Sequence, residues 1–194
     1  IRCGATVTAF DYEIAKQSPN TSDREYSEEE MWANLEYWIK IITPIAEEEG
    51  IRLGIHPCDP PVDQLGGVAM LFRSYENYRR YLDIYPSDSC GIEFCQGTVS
   101  EMFDSEGDAL YEFIAEMVQK RKVLYVHFRN VSAPNPKEFH EEFINTGHVD
   151  MYRAMKTYYD NGYDSFFIDD LVPQTHQDTQ WGHQGRAFAN AYIQ

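Results

Sequence analysis

Val123-Leu124-Tyr125-Val126-His127 is a short apolar run that ends, as it leaves a predicted strand, on a residue type that binds divalent metals. Three other runs end in the same way. Ile51 to Ile55 lead to His56, Gly91 to Phe94 lead to Cys95, and Ser165 to Ile168 lead to Asp169 and Asp170. Taking Asp170 as the last, successive candidates stand 39, 32 and 43 residues apart. One βα unit of an eight-unit barrel of ~250 residues occupies roughly 31. Parallel strands lie side by side, so residues at their carboxyl ends gather on one rim, where such barrels place their active sites. The pattern predicts an α/β chain with a metal site on that rim.

The segments between these runs have helical spacing. Ser27 with Glu30 three residues later forms a capping-box pattern. Met31, Trp32, Leu35, Trp38, Ile39 and Ile42 follow at intervals of three and four. Pro44 is expected to end or kink that helix near Thr43, and Gly50 to close the segment. Further helices are predicted at Tyr75 to Leu82, at Gly107 to Lys120 with Leu110, Phe113, Ile114, Met117 and Val118 on one side, and at Val149 to Tyr159. With a first strand at Ala5 to Phe10, the order is βα repeated over five strands. The fold expected is therefore of the (β/α)8 TIM-barrel type, incomplete by three strands, in one domain over residues 1–194.

Composition narrows the function classes. The chain has 194 residues, 43% hydrophobic and 14% aromatic, enough to bury a substantial core. Its 32 acidic residues against 16 Lys and Arg give a formal charge of -16, which repels nucleic acid and anionic membrane surfaces. No apolar run reaches the ~20 residues needed to span a bilayer, and no basic-then-apolar leader opens the chain. A cytoplasmic location is expected. Cys3, Cys58, Cys90 and Cys95 lack CxxC spacing and are expected as reduced thiols.

Six segments, in order, resemble those of the D-mannonate dehydratase family. His56-Pro57-Cys58-Asp59-Pro60-Pro61 is similar to its HPDDPP loop, Phe94-Cys95-Gln96-Gly97-Thr98 to FCQGT, and Val126-His127-Phe128-Arg129-Asn130 to VHxRN. Gly147-His148-Val149-Asp150-Met151 resembles GxVDM, Ile168-Asp169-Asp170-Leu171-Val172-Pro173 a DDHVP segment, and Trp181-Gly182-His183-Gln184-Gly185-Arg186-Ala187 a WGHRGRA segment. The resemblance runs from about Ala5 onward and implies a xylose-isomerase-like barrel whose amino-terminal part lies outside this chain. It implies a hydro-lyase that dehydrates D-mannonate to 2-keto-3-deoxy-D-gluconate in hexuronate (glucuronate) catabolism, acting on a small sugar acid as a homo-oligomer. The implied metal is Mn2+, with Fe2+ or Zn2+ as possible substitutes, and the implied ligands are His56, Cys95, His127 and Asp170. The strand ends alone leave Asp169 and Asp170 equivalent. Arg129, Asn130 and Gln96 are the expected substrate contacts, whereas His148 and Asp150 start a helix and have capping as their default role.

Two departures from the family pattern bear on chemistry. Leu171 stands where the family has a proposed acid-base His, and leucine cannot move a proton. The catalytic groups are therefore unassigned, with His176, His183 and Tyr192 as weak candidates; Phe188 lies in the same terminal segment. Cys58 stands where the family loop has Asp, beside the ligand His56. An alternative reading is thus a catalytically impaired or fragmentary homologue that binds metal and a sugar acid without turnover. A sugar-phosphate isomerase or endonuclease on a similar barrel fits the ligands but not the motif order.

Overall fold

The computed structural model describes residues 5–102 and 107–194. After β1 (Ala9–Asp11) and the single turn α1 (Tyr12–Ala15) comes the long helix α2 (Glu28–Glu48). Ser27 and Glu30 form the expected capping box at its start. Pro44 does not end it near Thr43: the helix runs on to Glu48. Pro44 is on the exposed side, so the carbonyl that loses its amide partner there is open to water. Gly50 stops the helix in a left-handed conformation, φ 65°, that few other residues adopt cheaply.

β2 (Leu53–Ile55) opens the main sheet, and a small hairpin, β3 (Gln64–Leu65) with β4 (Val68–Ala69), precedes α3 (Tyr75–Ile84). β5 (Cys90–Cys95) passes directly into α4 (Gln96–Glu101), and α5 (Ala109–Gln119) leads to β6 (Val123–His127). Then come β7 (Asn130–Val131), β8 (Glu138–Glu142), α6 (Met151–Asp160), β9 (Phe167–Ile168) and α7 (His183–Ile193). β2, β5, β6 and β9 make a four-stranded parallel sheet in sequence order. The architecture is a mixed α/β fold on an open parallel sheet, and no closed barrel forms among the described residues.

The first predicted strand belongs elsewhere. It is shorter and later than expected, and β1 pairs antiparallel with β8, which pairs antiparallel with β7. Four of the five predicted strands therefore share the parallel sheet. The fifth joins a three-stranded layer whose other members are a two-residue strand and a polar one.

Alternation divides the parallel sheet into two faces. Ile92, Phe94, Val123 and Val126 are buried on one, packed with the α5 residues Leu110, Phe113, Ile114, Met117 and Val118 and with Tyr158 of α6. Glu93, Cys95, Tyr125 and His127 lie on the other. Between Ile92 and Glu93 the register shifts, so that β6 carries one extra residue, Leu124. Gly91 makes room for it: a Cβ there would stand 2.0 Å from Leu124 Cδ1. The shift leaves Glu93 opposite Tyr125 and Cys95 opposite His127.

Candidate metal centre

The carboxyl ends of β2, β5 and β6 bring His56, Cys95 and His127 together, each offering a ligand atom within 4.8 Å of the others. Asp170 adjoins them, with Oδ2 3.5 Å from Cys95 Sγ and Oδ1 3.4 Å from His127 Nδ1. Its backbone is left-handed, φ 54°, an uncommon conformation for a residue with a side chain, and one that turns the chain sharply just past β9. Asp169 faces away to Arg186 of α7, whose NH1 reaches Asp169 Oδ2 at 3.2 Å and the Asp170 carbonyl at 2.5 Å. The structure thus separates the two aspartates that the strand end alone left equivalent.

Hydrogen bonds select which ring nitrogens face the cluster. His56 Nδ1 lies 2.6 Å from the Pro57 carbonyl, which can only accept, so Nδ1 carries the proton and Nε2 keeps a lone pair. His127 Nε2 stands 2.6 Å from Glu93 Oε1, which leaves Nδ1 as the buried ring atom without a hydrogen-bond partner. Such carboxylate-to-histidine contacts orient metal ligands. Glu93 was not among the residues nominated from sequence, although a lone charge inside the apolar run Cys90 to Cys95 marks it.

Charge follows the same geometry. Burial pushes the Cys95 thiol up, but Arg129 and the two imidazoles outweigh it and bring it down to about 7. Burial pulls His127 down, while Asp170 and Cys95 raise it to about 10. Asp170, raised by burial, is carried below the ordinary carboxylate range by His127 and Arg129. Thiolate, imidazolium and carboxylate thus balance one another here, and a divalent cation would displace the His127 proton, since only the neutral ring has a lone pair to offer. An orphaned imidazole nitrogen, an acidified thiol and a carboxylate fit a divalent ion, and the mixed donors suit Zn2+ and Fe2+ as well as Mn2+.

The expected substrate contacts lie beside this cluster but are engaged with protein. Arg129, buried, donates from Nε to Glu141, from NH2 to Glu101 and from NH1 to Asp59. Asn130 donates to the carbonyls of Ile144 and Val149 and accepts from the amides of Val131 and Val149, stapling the loop before α6. Gln96 is buried, with Nε2 on Met151 Sδ at 3.0 Å. Asp150 caps α6 by accepting from the Arg153 amide. His148, by contrast, meets Ser100 Oγ through Nε2. Cys58 packs against the core and, with Cys90 and Cys95, is a free thiol; Cys3 lies outside the described residues.

His176, His183 and Tyr192 are exposed, and the His183 ring turns to Thr179 Oγ1. Leu171 is 37% exposed and, with Val172, Gln174, Trp181 and Arg186, lines a cavity of about 360 Å3. The acidic residues around Arg129 escaped sequence reasoning because only long-range folding brings them together. Burial, together with Asp59, pushes Glu101 up to about 10 against the pull of Arg129. Burial likewise pushes Glu141 up to about 8.

Fold and cluster together define a parallel α/β protein with a candidate divalent-metal centre at its strand ends. The family profile of D-mannonate dehydratase (UxuA) matches residues 14–194, and the chain belongs to that family. Mannonate dehydratase 2 of Halalkalibacterium halodurans is 32% identical over 165 residues, covering 84% of this chain and 45% of the relative. Mannonate dehydratase of Streptococcus uberis is 29% identical over 208 residues, covering 94% of this chain and 57% of the relative. The crystal structure of mannonate dehydratase from Streptococcus suis serotype 2 superposes with a TM-score of 0.82 at 28% identity, over all of this chain and 57% of that one. The chain spans about half the length of the curated relatives it matches.

Proposed function

We propose that this chain supplies the metal-ligating strand ends of a (β/α)8-barrel hydro-lyase that dehydrates D-mannonate to 2-keto-3-deoxy-D-gluconate in hexuronate breakdown. The observation that carries the reading is the convergence of His56, Cys95 and His127, with Asp170 beside them, in a chain of the D-mannonate dehydratase family. Mn2+ is the proposed metal. A divalent cation held there supplies a Lewis acid for the oxygens of a sugar acid. The chain's residues do the rest: His56, His127, Cys95 and Asp170 hold the ion, and Glu93 keeps the His127 ring in register.

Dehydration also requires loss of the proton beside the carboxylate and protonation of the departing hydroxyl. Leu171 can do neither, so both transfers fall to other groups. Of the three nominated side chains, His183 belongs to the helix that also sends Arg186 to Asp169 and Asp170. No helix among the described residues is long and apolar enough to cross a membrane, and a cytoplasmic location is part of the proposal. So is a homo-oligomer, supported by exposed apolar residues such as Phe166 before β9 and Trp38, Ile41 and Ile45 along α2.

The test is to incubate the protein with Mn2+ and D-mannonate and follow 2-keto-3-deoxy acid formation, with His56→Ala as control. Metal-dependent product that disappears in the variant is the expected result. Bound Mn2+ with no product, before and after Leu171→His, would overturn the dehydratase reading in favour of a metal-binding homologue without turnover.

A further inference from the structure

Arg129 is the largest fully buried side chain among the described residues, and it is surrounded by acid. Glu141 holds Nε at 2.9 Å and Glu101 holds NH2 at 3.1 Å, both carboxylates buried as deeply as the arginine. On the opposite side of the guanidinium, NH1 meets Asp59 at 2.6 Å, Thr98 Oγ1 at 3.2 Å and Cys95 Sγ at 3.4 Å, with Asp170 Oδ2 at 3.6 Å. Thr98 Oγ1 donates to the same sulfur at 3.3 Å. Gly97 leaves space for the arginine stem, since a Cβ there would stand 2.8 Å from Nε. Burying a guanidinium among carboxyl groups is a poor way to gain stability, because apolar packing of the same volume does as well or better. The cluster also leaves Glu101 Oε2 buried without a partner, a further cost.

We propose that Arg129 is a positioning residue of the metal centre: its NH1 fixes the Cys95 sulfur and the Asp170 carboxylate at their ligand positions. Buried Glu101 and Glu141 fix the guanidinium in turn. This rests on the reading that the cluster binds a divalent metal, and it gives Arg129 a role other than gripping a substrate carboxylate, because all three of its nitrogens are already engaged. It also gives a function to the hairpin of β7 and β8, which lies outside the parallel sheet yet delivers Glu141. A hydrogen bond donated to sulfur stabilises the sulfur lone pairs and so moderates how strongly they are shared with a metal.

Co2+ is the probe, because a cobalt-bound thiolate gives a near-ultraviolet charge-transfer band. In Arg129→Lys, with the fork lost, the band is expected to move to longer wavelength and Co2+ retention against a chelator to weaken by about 10- to 100-fold. Glu141→Gln keeps an acceptor for Nε but replaces the carboxyl group with an amide, and should shift both readouts in the same direction by less. Gly97→Ala, which displaces the stem without touching a charge, should mimic Arg129→Lys. A purely structural staple predicts lower melting temperatures with band position and Co2+ affinity unchanged, and that result overturns the proposal. If Arg129→Lys does not fold, unchanged spectra in both other variants overturn it equally. Absence of any thiolate band in the unsubstituted protein, with His56→Ala no different, instead removes the metal reading itself.

Discussion

The two faces of the parallel sheet are made by alternate residues of the same strands, and they differ in every physical respect. One is dry and aromatic: Phe94 meets Phe113 at 5.9 Å and Tyr158 at 6.0 Å between ring centres, and Phe128 joins Phe167 at 5.3 Å. The other holds Glu93, Cys95, Tyr125 and His127, and the charges there are balanced by one another, by Asp170 and by Arg129. A period of two separates folding from chemistry within six residues of β5. The dry face stabilises by area removed from water, whereas the polar face is held together at a cost that function has to justify.

The strongest way to break this contrast is to substitute across it. Phe94→Ala opens a cavity at a fully buried position and is expected to cost about 3–5 kcal/mol in urea denaturation, with metal affinity preserved in whatever fraction stays folded. Cys95→Ser, one residue further along the strand, should do the reverse. It removes a ligand atom without opening a comparable void, so the metal-free protein should keep its denaturation midpoint while metal affinity falls by more than the roughly 10- to 100-fold typical of outer-shell changes. Equal losses of stability from both substitutions would show that the two faces are not energetically distinct.

A pH titration of stability sharpens the comparison. Glu101 is raised to about 10 in the folded protein, so the fold holds a proton that the unfolded chain releases near pH ~4.3. The native state then binds more protons than the unfolded one, and stability falls as pH rises between those limits. Glu101→Gln mimics the protonated form and should flatten that slope. The variant should match the unsubstituted metal-free protein near pH 5 and exceed it near pH 8, each kcal/mol gained raising the melting temperature by roughly 2–4 °C for a chain of this size. Parallel profiles would mean that Glu101 is ionised in the fold.

Much of this was legible in the sequence where the signal was local. The strand ends at His56, Cys95 and His127 could be read because a short apolar run followed by a polar ligand is a pattern of adjacent residues. The buried side of α5 could be read because helical period and burial coincide there. What escaped needed partners distant in sequence. β8 is Glu138-Phe139-His140-Glu141-Glu142, which carries too little apolar character to announce a strand, and it exists because β1 and β7 flank it. Glu141 therefore carries no local signal, and only the hairpin turns it onto Arg129. Pro44 misled in the opposite direction: the local rule against proline in a helix is sound, but at an exposed position within a helix of 21 residues the rest of the ladder outweighs one lost hydrogen bond.

The segment Gly147 to Met151 offers the finest division between architecture and site. Its resemblance to a family motif invites a functional role for Asp150, yet the carboxylate accepts from the Arg153 amide at 2.9 Å and sits at the first turn of α6. An N-cap satisfies an amide that the helix itself leaves unpaired, and its removal costs about 1 kcal/mol. Asp150→Ala should therefore lower stability by about that amount, while Co2+ affinity and the thiolate charge-transfer band stay where they are. Asp150→Asn, also a good cap, should recover most of the loss, because the role needs an acceptor oxygen rather than a charge. A shift in the metal spectrum from either substitution would place Asp150 in the network that reaches Cys95 through Arg129. The boundary between scaffold and site would then lie inside this motif rather than between the two faces of the sheet.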